Sequence, residues 1–220
     1  MNNRTIRLCS LRAADGGARL VLHIEITTDT GVERLTLSPL VSGLDSLPTV
    51  GELTEEALDF LREESDFANA LVKGYRYLGA SDRSPSALVK RLRAAGVSQV
   101  LAGRVVEQLL LSGMLNESEG AVREAERALA KLWGDRRICA ALREKGYSAQ
   151  AIAAAVAFLQ EQDSVARCVR LIKKRRMALP QNEQEAARFA AALVRYGYTG
   201  SEMKAAMTFF REAADASAEE

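Results

Sequence analysis

Apolar positions recur three times along this chain in one arrangement. Leu88, Ile138 and Phe189 each stand eight residues before a glycine, and Leu92, Leu142 and Leu193 stand four before. Val106, Val156 and Met207 follow ten after it; Leu109, Leu159 and Phe210 follow thirteen after. The glycines are Gly96, Gly146 and Gly197, separated by 50 and 51 residues (146 − 96 and 197 − 146). Positions four apart share one face of a helix. Glycine stops that helix because it enters the left-handed C-terminal cap without steric cost. Two residues later stand Ser98, Ser148 and Thr199, which can cap a following helix. Each copy therefore predicts a helix, a tight turn and a helix, and three copies at one period make an internal repeat.

The pattern orders the rest of the chain. Residues 1–50 alternate in short stretches, over 4–12, over 19–28 (Leu20, Leu22, Ile24 and Ile26 against Val21, His23 and Glu25) and over 32–37. They predict a small antiparallel three-stranded meander. Pro39, Gly43, Pro48 and Gly51 mark a loop, and Thr54 caps a linker helix ending near Glu64. The first repeat, 66–115, predicts helices over 66–78, 85–95 and 99–112. The second, 116–161, predicts 118–132, 136–145 and 149–160, with Asp135 as a cap. The third, 162–212, predicts 163–176, 183–196 and 201–212. Residues 213–220 form a small acidic tail. The fold class is mainly α: three tandem three-helix repeats sharing a core in an elongated, curved body, after a β meander and a linker helix at 51–65.

Composition agrees with a helical globular protein: of 220 residues, 48% are hydrophobic and 5% aromatic. No apolar run reaches the roughly 20 residues that cross a bilayer, and no signal-peptide core follows the N-terminus. The expected location is cytoplasmic. Net charge is +1, distributed unevenly: an acidic front end through residue 65, then a mildly basic first repeat. That distribution does not make a strongly basic nucleic-acid binder. Cys9, Cys139 and Cys168 form no CxxC pair and read as apolar fillers. His23, the one histidine, has no neighbouring metal-ligand partner. No phosphate loop, no nucleophile with a base and no metal cluster is present, so an enzyme is the least favoured class and no cofactor is expected.

Further residues carry a resemblance. Leu53-Thr54-Glu55-Glu56-Ala57-Leu58, Ala70-Leu71, Tyr75-Arg76-Tyr77-Leu78, then Asp82-Arg83-Ser84 with Leu88, Leu92 and Gly96, resemble the RecX family of recombination regulators. Lys131-Leu132-Trp133-Gly134, Arg137-Ile138, Leu142 and Lys145-Gly146 continue the likeness in the second repeat. After Gly113-Met114-Leu115 the family pattern has an aromatic that this chain lacks. The resemblance implies binding to the RecA recombinase filament on single-stranded DNA. It also implies modulation, chiefly inhibition, of filament extension, ATPase and strand exchange, and through them of DNA repair and the SOS response. The chain would act as a monomer, with weak direct contact to single- or double-stranded DNA and no membrane partner.

Helical wheels nominate the contact residues. Arg167, Arg170 and Lys174 lie opposite Val165, Cys168, Val169 and Ile172 and are expected to face outward. Lys90 and Arg93 project away from Leu88 and Leu92, and Arg143 repeats the place of Arg93. With Arg104, Arg136 and Arg137 they form a discontinuous basic surface for RecA or DNA phosphate. The same charges also read as an ordinary solvated face beside Glu124, Glu126 and Glu144. Tyr75, Tyr77, Tyr147, Tyr196 and Tyr198 could stack bases, although Tyr147 and Tyr198 follow cap glycines, where packing between helices is the usual role. Two other classes remain open. One is a helical-repeat DNA-binding protein, which would need basic recognition helices where Ala140, Ala141, Ala191 and Ala192 stand. The other is a generic helical scaffold.

Overall fold

The structure, a computed structural model, describes residues 6–13, 22–28, 31–37, 49–80 and 84–218. The turn at 14–17, residues 38–48 of the loop at 38–51 and the motif residues Asp82 and Arg83 lie outside them. The strands are β1 (Arg7–Ala13), β2 (Leu22–Thr28), β3 (Gly31–Leu37) and β4 (Gly51–Glu52), in the antiparallel order β3-β2-β1-β4. The expected three-stranded meander thus gains a fourth strand. Gly51 closes the expected loop and Glu52 falls in the expected linker, but the pair forms a strand with Arg7 and Leu8 on the free edge of β1. Two residues leave no alternation to detect, and edge pairing over a long sequence gap is a tertiary event.

Nine helices follow among the described residues: α1 (Glu55–Ala80), α2 (Pro85–Ala94), α3 (Gln99–Leu111), α4 (Glu117–Ala130), α5 (Asp135–Glu144), α6 (Ala149–Gln160), α7 (Ser164–Arg175), α8 (Glu183–Arg195) and α9 (Gly200–Ala218). The chain is mainly α with an N-terminal antiparallel sheet. It divides into two compact units, Met1–Ser81 with Leu88–Leu115, and Asp82–Ala87 with Asn116–Glu220.

In the first unit, the linker helix and the first repeat helix are one helix of 26 residues. Glu64-Ser65-Asp66 suggested a break, yet Glu64 and Ser65 are buried. Ser65 Oγ accepts the Thr36 N–H of β3 at 3.1 Å, and Glu64 accepts from Arg104 of α3 at 2.6 Å. Two of the three polar residues, Glu64 and Ser65, are consumed by tertiary contacts while Asp66 stays exposed, and no proline interrupts the helix. The first half of α1 covers the sheet: Leu58 and Leu61 join Ile6, Leu8, Ile26, Leu35 and Leu37 in one cluster. The second half packs on α3 at Gly74, where a Cβ would stand 3.0 Å from Val105 Cγ1 and 3.1 Å from Leu109 Cδ1. Phe67, Leu71, Leu88, Leu92, Val106 and Leu109 lie in that second cluster.

In the second unit, Ala121, Ala125, Ile138, Leu142, Ala155 and Leu159 form one cluster across α4–α6. Cys168, Ile172, Phe189, Leu193 and Ala206 form another across α7–α9. The tail is shorter than expected, because α9 continues to Ala218 on a run of alanine and acid that favours helix.

Candidate functional site

The three cap glycines are left-handed, with φ of +83° at Gly96, +76° at Gly146 and +93° at Gly197. The residue after each glycine sends its N–H back to the leucine four before the glycine: Val97 to Leu92 at 3.1 Å, Tyr147 to Leu142 at 3.1 Å, Tyr198 to Leu193 at 3.2 Å. The bonds complete three identical cap motifs. They bury Val97, Tyr147 and Tyr198 against their leucines, so the two tyrosines are packing residues, not stacking platforms. Ser98 and Ser148 each accept an N–H three residues on at 3.2 Å, and Thr199 accepts from Glu202 at 3.3 Å.

Within the second unit these turns receive helix starts. Ser84, the residue before α2, donates its hydroxyl to the Lys145 carbonyl at 2.5 Å, and Ser86 donates to the Gly146 carbonyl at 3.1 Å. At the next turn, the Gly134 N–H, at the start of α5, donates to the Tyr196 carbonyl at 2.7 Å, and Arg137 donates to the Arg195 carbonyl at 3.2 Å. Lys145 and Tyr196 both immediately precede a cap glycine. The same joint is therefore used twice. A Cβ on Gly146 would lie 1.9 Å from Ser86 Oγ, and one on Gly197 would lie 2.5 Å from the Arg137 backbone nitrogen. The joint demands glycine for its close approach as well as for its φ.

The second joint is braced from beneath. Arg167 is only 2% exposed and donates to the carboxylate of Asp135. This corrects the expectation that Arg167 faces outward. A helical wheel places it opposite the apolar stripe of α7, but α5 and the α8–α9 turn lie over that side. Asp135 also differs from its expected role: Gly134 is the N-cap, without a side-chain bond, and Asp135 is the first helical residue. Burial raises the Asp135 carboxyl above its ordinary range, and Arg167 opposes that. Burial also acts to raise Glu202. The Thr199 N–H and hydroxyl, Ser164 and Arg167 outweigh it and hold that carboxyl below its ordinary range. Burial pushes the Cys168 thiol up to about 11.

The other nominated cations fall into two classes. Lys90, Arg93, Arg136, Arg143, Arg170 and Lys174 are exposed. Arg104 and Arg137 are occupied: Arg104 pairs with Glu64 and lies 4.0 Å over the Phe67 ring. Arg137 lies 4.0 Å over Trp133 and 5.7 Å from the Tyr196 ring centre. In the first unit Lys90 and Arg93 line a shallow cavity of about 620 Å³ at the Gly96 turn. In the second unit, sequence reasoning passed over Lys173, Arg175 and Arg176, exposed with Arg170 and Lys174 along the end of α7. None of these five pairs with a carboxylate among the described residues. Lys173 sits 5.1 Å from the exposed Phe209 ring and Arg175 5.7 Å from Tyr196. The run Lys173-Lys174-Arg175-Arg176 was the available signal, and it reads equally well as cations completing a helix C-terminus. A groove of about 600 Å³ between α4 and α5 also went unread. Its floor holds Trp133, Ile138 and Leu142, and its rim holds Arg127, Lys131 and Lys145. Among the described residues no group of three or more His, Cys, Asp or Glu could hold a metal ion, and no helix is long and apolar enough to cross a membrane.

No protein-family model matches the chain, and no curated protein does. Solved structures do. A crystal structure of the regulatory protein RecX superposes with a TM-score of 0.74 at 17% identity, over 92% of this chain and 99% of that one. RecX from Lactobacillus salivarius gives 0.58 at 15% identity, over 65% of this chain and 95% of that one. At this identity the likeness is one of fold, over 92% of the chain. The chain therefore has the fold of the RecX regulatory proteins.

Proposed function

We propose that this protein is a non-enzymatic regulator of the RecX type. It binds the RecA filament on single-stranded DNA and limits filament extension, and with it ATPase, strand exchange and the DNA-damage response. The observation that carries this reading is the fold likeness over 92% of the chain, together with the family residues set out from the sequence. The physical form suits the role: rigid helical units present several cationic surfaces, and multivalent contact raises avidity without one strong site. The protein is expected to work in the cytoplasm, where RecA acts. The exposed contact residues are Lys90, Arg93, Arg136, Arg143, Arg170 and Lys174. Arg104 and Arg137 act by holding their surroundings in place, and Arg167 belongs to the interior.

A second reading, direct binding to DNA phosphate, has one observation in its favour: the five exposed cations at the end of α7 beside Phe209. One experiment separates the two. RecA ATPase on single-stranded DNA is measured while this protein is titrated in, with binding to naked DNA measured at the same salt. Inhibition below one protein per RecA, with weak DNA binding, supports the filament regulator. Unchanged ATPase with tight, salt-sensitive DNA binding replaces it with the second reading.

A further inference from the structure

Two cap-glycine turns in this chain each hold the start of another helix; among the described residues the third holds none, and its Ala95 carbonyl, in the place of Lys145 and Tyr196, accepts from the flexible Lys73 side chain at 3.5 Å. At Gly96 the left-handed φ, the back-bonded Val97 and the capping Ser98 repeat those at Gly146 and Gly197. Yet a Cβ placed on Gly96 would meet nothing within 4 Å among the described residues. Around it the chemistry departs from the occupied copies. Six residues before the glycine, Ala140 and Ala191 stand in the occupied copies and Lys90 in the open one; three before, Arg93 matches Arg143 of one occupied copy, so the added cation is Lys90. Four residues after the glycine, the occupied copies carry Gln150 and Ser201. The open copy carries Val100, 84% exposed. Lys90 and Arg93 are exposed and line the cavity at this turn.

The complementary half of the joint is vacant elsewhere on the same chain. The joint takes a helix start: Ser84 before α2, Gly134 before α5. The third such start, Asn182 before α8, receives no turn among the described residues, and residues 181–188 are all exposed. It too departs from the occupied pair. Asn182 stands 15 residues before its cap glycine (197 − 182), where Ser84 and Gly134 stand 12 before theirs. Three more residues carry this helix start about 4.5 Å further out at the helical rise. Its first turn bears Glu183 and Glu185. Glu185 is engaged by neutral donors, the Gln181 N–H and the Asn182 amide, so its charge is not cancelled.

A helix start carries a partial positive charge, so approach to Lys90 and Arg93 requires carboxylates in its first turn. The start of α8 has them. The start of α2 has none, and that of α5 has only Asp135, committed to Arg167. We infer that the Gly96 turn of one molecule receives the start of α8 of a second copy, with Lys90 and Arg93 against Glu183 and Glu185 and Val100 covered. The contact is heterologous, joining two different surfaces, and repeats between molecules the joint that each molecule already uses twice. One turn on one helix end buries far less than the roughly 1,200 Å² of a stable complex, so the association is weak and the monomer is the dilute state.

The test does not depend on any activity: sedimentation equilibrium of the full chain across a concentration series at low salt. The wild type is expected to gain weight-average mass toward concentrations on the order of 100 µM, where contacts this small begin to populate, and to lose the gain when salt screens the charges. K90E/R93E and E183K/E185K, each like-charged across the joint, are expected to remain monomeric when alone. Their equimolar mixture is expected to associate, because each supplies the half the other lacks. Circular dichroism of each variant checks that it is folded. A wild type that stays monomeric throughout overturns the inference. So do variants that associate like the wild type, and so does a mixture that fails to associate.

Discussion

The carbonyl of Tyr196 accepts the N–H of Gly134 at 2.7 Å, and a Cβ on Gly197 would stand 2.5 Å from the nitrogen of Arg137. One turn thus serves as a helix cap and as a socket for another helix, and glycine is required twice over. At Gly146 the intruding atom would be Ser86 Oγ, the end of a short side chain that can rotate aside. At Gly96 nothing among the described residues would intrude. Substitution by alanine should therefore rank the three positions. Gly96→Ala should cost about 1–2 kcal/mol, the left-handed penalty alone. Gly146→Ala should cost more, since the Ser86 bond is also lost. Gly197→Ala should cost the most, because backbone must move. Urea unfolding of the three variants measures the order, and equal costs would refute the joint.

Arg167 and Asp135 should behave as a buried pair that is worse broken than absent. Asp135→Ala takes the acceptor away from the buried guanidinium altogether and should cost about 3 kcal/mol. Asp135→Ala with Arg167→Met should recover most of that loss. Arg170→Ala, on the exposed side of the same helix, should stay within about 0.5 kcal/mol of wild type. A double-mutant cycle read by chemical denaturation supplies the coupling.

The pH dependence follows from Glu202. Its carboxyl is held below the ordinary value of 4.5 in the folded protein. It therefore stabilises the fold above that value, and the contribution is lost as pH falls through the lower folded value. Glu202→Gln should be destabilised relative to wild type at pH 7, and the gap should narrow as pH drops below 4.5. Asp135, raised by burial, contributes with opposite sign: its ionisation opposes folding as pH rises from its unfolded value through its folded one. Thermal midpoints of both proteins from pH 3 to 7 give the comparison.

Thiol labelling should discriminate sharply. Cys168 is fully buried and its thiol is pushed up to about 11, whereas Cys9 is exposed. At pH 8 the native protein should be alkylated at Cys9, with Cys168 labelled only when denaturant opens the α7–α9 core. Peptide mapping by mass spectrometry after timed alkylation reads both sites.

Removing residues 1–50 should strip Ile6, Leu8, Ile26, Leu35 and Leu37 from Leu58 and Leu61 of α1. The first two turns of α1 should then fray, with a lower melting temperature and faster amide exchange over 55–65, while exchange over α5 and α6 stays unchanged.

The sequence alone determined the period, the three cap glycines, the caps that follow them and most of the helix bounds. All of these rest on interactions between residues within about five positions of one another, where spacing and side-chain type suffice. The family likeness was legible for the same reason, since it is carried by short local runs such as Tyr75-Arg76-Tyr77-Leu78 and Lys131-Leu132-Trp133-Gly134 as well as by the caps. The continuity of α1 was not legible. Glu64 and Ser65 look like a break until β3 and α3 supply their partners. Nor was the interior place of Arg167 or the pairing of Gly51–Glu52 with β1. A helical wheel knows which residues share a face but not which second element covers that face. Burial of an arginine, the socket at each cap turn and the vacancy at Gly96 are relations between distant segments, and only the tertiary structure decides them.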